Sequence, residues 1–244
     1  ADIKDRINTA AGLKSLLPSA KRGFRMEYKE SFIDFMTASG VLTFGDFITK
    51  SGRRTPYFIN TGSYRTGAQV SSLGDFYADC IQESKENFDV LFGPAYKGIP
   101  LAVSTSISLW RKYGRDIPYS FNRKEIKDHG EGGAIVGQQL CDGMRVAIIE
   151  DVVTAGTAVR ETLALMRIFA KVDVTALYVS VDRMERGSGV LSALDELQKT
   201  LGIKVYPIVT VREIISYLSD SGRLGAEQAA RMESYLAEFG ADNG

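Results

Sequence analysis

The chain has 244 residues, with 30 Lys and Arg against 30 Asp and Glu, a single His and two Cys. Zero net charge argues against a duplex-coating protein, which needs excess cation to neutralise phosphates, and against a polybasic membrane anchor. At 44% hydrophobic and 25% charged it reads as an ordinary globular protein, and its length suits one large α/β domain or two small ones, with ample core. It has no apolar run of membrane-spanning length and too few Cys and His for a disulfide scaffold or a zinc site.

Residues 1–26 stand apart. Lys4, Arg6, Lys14, Lys21, Arg22 and Arg25 outnumber Asp2 and Asp5, and Met26 precedes the first patterned segment. The expectation is an appended or unordered extension; a cleaved targeting sequence is the alternative, disfavoured by the missing apolar stretch. Tyr28, Phe32, Ile33, Phe35 and Met36 then share one helical face ending near Gly40. Residues 47–49 and 57–59 flank Ser51-Gly52-Arg53-Arg54 as a hairpin. This early helix and hairpin, about 27–66, are expected to form a small N-terminal hood.

A core about 67–220 follows. Helices are predicted over 67–85, 157–170, 189–200 and 210–219, with a C-terminal one over 225–239. Another opens with Ile99, Val103, Ile107 and Trp110. Strands are predicted at 88–92, 117–122, 135–140, 145–150, 174–181 and 204–209. Short apolar strands alternating with helices imply a central, mainly parallel sheet flanked by helices.

The richest stretch is residues 145–158. An apolar strand runs into Glu150 and Asp151, then into Val152, Val153, Thr154, Ala155, Gly156, Thr157 and Ala158 at a helix start. Open α/β sheets bind ligands at the carboxyl ends of strands. Backbone N–H groups and hydroxyls at a helix N-terminus suit a phosphate. The acids repel that phosphate but accept hydrogen bonds from sugar hydroxyls, so a phosphorylated ribose satisfies both halves. Taken alone, the stretch fits equally a plain helix capped by Thr154 or Thr157. A P-loop is excluded, since no Gly-Lys-Ser/Thr follows.

Residues 121–133 carry Arg123, Lys124, Lys127 and His129 among Gly130, Gly132 and Gly133. Such a loop could close over a polyphosphate and exclude water; Glu125, Asp128 and Glu131 make a solvated, charge-balanced loop the alternative. The turn 92–98 offers Tyr96 and Lys97 after a strand, either to a second anionic group or as a plain connection.

These segments together resemble the type I phosphoribosyltransferases and, within them, the orotate phosphoribosyltransferases. The resemblance rests on the acid-acid turn, the hairpin 50–60, residues 92–100 and 121–137, and residues 180–187 with Asp182-Arg183. It runs from about Tyr28 to the C-terminus; Glu150-Asp151 stands where many members have Asp-Asp. It implies transfer of the phosphoribosyl group of 5-phosphoribosyl pyrophosphate (PRPP) to orotate, giving orotidine 5′-monophosphate and pyrophosphate in pyrimidine biosynthesis. By that resemblance, residues 150–158 hold the ribose 5-phosphate, and Tyr96 and Lys97 reach the pyrophosphate. Lys50 also contacts PRPP, and Arg123, Lys124, Lys127 and His129 cover the pyrophosphate, with Lys127 and His129 catalytic. Orotate lies against Phe58 and Ile59, with Thr154 and Arg183 as polar contacts.

Mg2+ is implied, held mainly through PRPP with no dedicated protein site. A cytoplasmic homodimer that shares the catalytic loop between subunits is implied as well, with no nucleic acid or membrane partner. Each assigned side chain has a plainer alternative: an Arg183 ion pair with Asp182 or Glu185, a solvated Lys50, and hairpin packing for Phe58 and Ile59. The rivals are a type I enzyme for a purine or uracil base and a PRPP-sensing regulator without catalysis.

Overall fold

The computed structural model describes residues 24–49, 52–123, 134–153, 156–187 and 189–241. Lys50, Lys124, Lys127, His129, Thr154, Ala155 and most of the 1–26 stretch lie outside them. The first helix, α1 (Phe24–Ala38), takes in the last three residues of that stretch. It buries Tyr28, Phe32, Ile33 and Met36, the face the sequence pattern marks.

An antiparallel hairpin follows, β1 (Leu42–Ile48) and β2 (Arg54–Ile59), forming a sheet of its own. Next come α2 (Gly67–Ser84), β3 (Val90–Phe92), α3 (Gly98–Tyr113), β4 (Tyr119–Asn122), β5 (Ile135–Gly137) and β6 (Arg145–Glu150). The chain continues through α4 (Thr157–Phe169), β7 (Asp173–Asp182), α5 (Ala193–Leu201), β8 (Lys204–Thr210), α6 (Val211–Asp220) and α7 (Ala226–Phe239). Local chemistry explains several boundaries. Thr66 with Gln69 and Thr210 with Glu213 form capping boxes opening α2 and α6, and Gly114 and Gly202 end α3 and α5 in the left-handed conformation.

The main sheet has the order β5-β4-β3-β6-β7-β8. Its pairs are parallel except β4 with β5, which is antiparallel. Side chains alternate between two cores, as a sheet covered on both faces requires. Val146 and Ile148 join one core with Leu163, Met166 and Leu197 of α4 and α5. Ala147 and Ile149 join the other with Phe32, Tyr77, Leu109 and Ile214 of α1, α2, α3 and α6. Leu42 and Tyr57 of the hairpin belong to that second core.

The helix that Ile99, Val103, Ile107 and Trp110 open is present as α3. Of the apolar positions taken to open α3, Ile107 is 57% and Trp110 61% exposed. The buried face instead carries Leu101, Ala102, Thr105, Ser108 and Leu109. The reason lies on α2, where a Cβ at Gly74 would meet the Ser104 backbone at 2.7 Å. The two helices approach too closely at that point for large side chains, so Ser104, Thr105 and Ser108 face inward beside the two leucines, while Ile107 and Trp110 remain outside.

Candidate active site

The site follows from sheet order. From β3 the chain moves outward to β4; from β6 it moves the opposite way, to β7 and β8. The crevice between the carboxyl ends of β3 and β6 is therefore a topological switch point, where open sheets bind ligands. Both βα turns singled out in the sequence meet there, around a cleft of about 360 Å3. The cleft gathers Tyr96, Lys97, Glu150, Asp151, Val152, Val153, Gly156, Thr157 and Ala158.

The β3 turn is tight by necessity, because a Cβ at Gly93 would fall 2.0 Å from the Gly98 carbonyl oxygen. Asn122, at the end of β4, accepts the Ala95 N–H through Oδ1 at 2.9 Å. The β6 turn enters α4 through Gly156 at φ +70°, and no side-chain cap bond forms there. That positive φ favours glycine, and a Cβ would also press on Leu197 at 3.0 Å. Thr157 is the first residue of α4, so it is not the cap of the plainer alternative. The positive end of the helix dipole faces the cleft.

The acids differ in state. Glu150 is only 8% exposed, and burial, followed by the Asp151 charge, pushes its carboxyl up to about 7. Burial alone would raise Asp151 too. Donation from Lys97 and Thr61 overrides it and holds Asp151 below the usual carboxylate range. Lys97 Nζ and Thr61 Oγ1 each lie 2.6 Å from Asp151 Oδ2.

Arg183, Phe58 and Ile59 do not line this cleft. Arg183 lines a smaller hollow of about 60 Å3 with Val153, Asp182 and Glu185; Val153 borders both. The guanidinium donates from Nε at 3.0 Å and Nη2 at 2.5 Å to Glu185 Oε1, and stacks 4.8 Å from the Tyr57 ring centroid. The Glu185 ion-pair alternative is thus realised. Phe58 is 41% exposed and stacks on Phe47, while Ile59 packs partly against the core. Arg123 N–H donates to the Ala134 carbonyl at 2.7 Å, at the mouth of the 124–133 segment.

Thr61 and Tyr77 have no role in the sequence reading, and Asn122 and Ser180 lie in its segments 121–137 and 180–187 without one. Their partners are distant in the chain.

The chain is also similar to known proteins. Residues 64–199 match the phosphoribosyl transferase domain. The chain is 51% identical over 220 residues to an orotate phosphoribosyltransferase of Clostridium beijerinckii, covering 88% of this chain and 98% of that one. A Salmonella typhi orotate phosphoribosyltransferase is 45% identical over 213 residues, covering 87% and 98%. The solved orotate phosphoribosyltransferase structure from Francisella tularensis superposes with a TM-score of 0.79 at 36% identity, covering 86% of this chain and all of that one. The switch-point cleft, the domain match and these relatives converge on the type I phosphoribosyltransferase fold, and the chain belongs to the orotate phosphoribosyltransferases.

Proposed function

We propose that the chain transfers the phosphoribosyl group of PRPP to orotate, releasing pyrophosphate, and that the switch-point cleft is where it does so. The observation that carries this reading is the convergence of an acid pair, a lysine-bearing turn and a helix N-terminus on one cleft.

Glu150 and Asp151 accept hydrogen bonds from the ribose hydroxyls. Gly156, Thr157 and Ala158 offer N–H groups to the 5-phosphate, with Thr154 and Ala155 between them and the acids. Tyr96 and Lys97 receive the pyrophosphate, together with Lys50, Arg123, Lys124, Lys127 and His129. Departure of pyrophosphate leaves positive charge on the sugar and negative charge on the leaving group. Cations around the pyrophosphate stabilise that separation, and closure by the 124–133 segment keeps water from the sugar carbon. Lys127 and His129 are the residues proposed to act there, His129 as a proton donor.

Orotate is an anion already, so attack by its ring nitrogen needs no strong base. Arg183 Nη1 is left over from the Glu185 pairing and is the donor offered to orotate, against Phe58 and Ile59.

Mg2+ fits the donor chemistry. Glu150 and Asp151 supply hard oxygens to an ion carried mainly by PRPP. When bound, it neutralises charge on the departing pyrophosphate. A homodimer sharing the 124–133 loop is proposed with it; exposed Ile107 and Trp110 offer apolar surface to a second copy. Cytoplasmic residence suits two cysteines that are both free.

The test is orotate absorbance followed with PRPP and Mg2+. Loss of the orotate signal with pyrophosphate release is expected; no change at saturating substrate overturns the reading.

A further inference from the structure

Thr61 lies outside the sequence-derived site, yet it bonds two residues that line the cleft, Asp151 and Lys97. It opens a 3-10 turn (Thr61–Ser63) just beyond β2. The turn is fixed at its base: Asn60 N–H donates to the Val41 carbonyl at 2.8 Å, and Asn60 Oδ1 accepts the Gly62 N–H at 3.2 Å. From this support Thr61 Oγ1 donates to Asp151 Oδ2 at 2.6 Å and accepts from Lys97 Nζ at 3.1 Å. Lys97 donates to the same carboxylate oxygen at 2.6 Å. One oxygen therefore carries two donors, and those donors are bonded to each other.

The donors differ in freedom. The Lys97 side chain is 65% exposed, whereas that of Asp151 is only 14% exposed. In the proposed function Lys97 serves the pyrophosphate and Asp151 the ribose, so PRPP must draw the ammonium away from the carboxylate. A carboxylate that loses one of its two donors also loses part of what fixes its direction. Thr61 is the described side chain that stays on it.

We propose that Thr61 is a positioning residue for PRPP: it keeps the Asp151 carboxylate oriented into the cleft while Lys97 passes from Asp151 to the incoming pyrophosphate. This rests on the reading of Asp151 as the ribose grip. Thr61 touches no reacting atom; its effect runs through Asp151.

The experiment is steady-state kinetics on Thr61→Val, Thr61→Ser, Asp151→Asn and the Thr61→Val/Asp151→Asn pair, varying PRPP and orotate separately. Thr61→Val is expected to raise the PRPP KM about tenfold, the loss of one hydrogen bond to a charged group, with kcat and orotate KM changed less than about twofold. Thr61→Ser restores the PRPP KM, and in the Asp151→Asn background Thr61→Val adds nothing. An unchanged PRPP KM in Thr61→Val, a parallel loss in kcat and both KM values, or no rescue by Thr61→Ser overturns the proposal. Asp151→Asn alone separates the two layers. If it leaves the PRPP KM unchanged, the ribose grip fails and Thr61's role falls with it; if it raises the KM while Thr61→Val does not, only Thr61's role falls.

Discussion

The phenol of Tyr77 donates to the backbone carbonyl of Glu150 at 2.7 Å, from α2 into the last residue of β6. One residue on, Ser180 holds the Asp151 carbonyl through its N–H at 2.9 Å and its hydroxyl at 2.6 Å. Both acids thus have their main chain fixed from below by neighbouring elements, while their side chains line the cleft. Burial, chiefly, pushes the Tyr77 phenol far above its ordinary range, so it remains a donor at any working pH.

Tyr77→Phe removes that donor with almost no change in shape. Tyr77 is fully buried, so the Glu150 carbonyl loses its partner where water cannot replace it. The expected cost is about 1–3 kcal/mol, read as a lower urea midpoint with an unchanged slope. The PRPP KM rises as well, because the acid pair loses its support. Unchanged stability would mean that the carbonyl finds another donor.

Gly93→Ala tests the other wall of the cleft. A Cβ there would sit 2.0 Å from the Gly98 carbonyl oxygen and 2.9 Å from the Ala102 Cβ, so backbone has to move. A loss of about 1–3 kcal/mol is expected from such overpacking. Displacement of Lys97 with the turn raises the PRPP KM, seen by thermal melts alongside kinetics. A variant that matches the parent in both would show that the turn relaxes freely.

Much of this site was legible because the chemistry is local. An apolar run ending in Glu150-Asp151, then a small-residue turn, marks a strand end and a helix start without any tertiary knowledge. What stayed hidden depends on distant partners. Thr61 and Asp151 are separated by 90 positions, and Tyr77 and Glu150 by 73. The burial of small residues on α3 was hidden for the same reason, because it follows from the close packing of Ser104 on Gly74. The strand order that makes β3 and β6 neighbours comes from the sheet's long-range pairing and has no local signature.

Arg183→Lys separates charge from shape. Nε and Nη2 of Arg183 both engage Glu185 Oε1, a side-on grip that aims the planar fork. Lysine keeps the cation but cannot hold Glu185 and a second carboxylate in that geometry. The orotate KM is expected to rise more than about tenfold while the PRPP KM stays near the parent's. Equal changes in both constants would count against an orotate-specific role.

Glu150 links the site to pH. Its carboxyl titrates at about 7 rather than 4.5, through burial first and the Asp151 charge second. Below that point the native protein holds a proton on Glu150, which then has one oxygen fewer to accept a ribose hydroxyl. As pH rises through about 7, kcat/KM for PRPP is therefore expected to climb and then level, since this ratio reports groups of the free enzyme. The stability term has the opposite sign. Between 4.5 and about 7 the native state binds more protons at this position than the unfolded chain, so Glu150's contribution to stability falls as pH rises across that window. Glu150→Gln removes the titration, so it should flatten the rise in kcat/KM near neutrality and remove this position's share of the stability slope. A pH profile unchanged in Glu150→Gln would assign the neutral limb to another group.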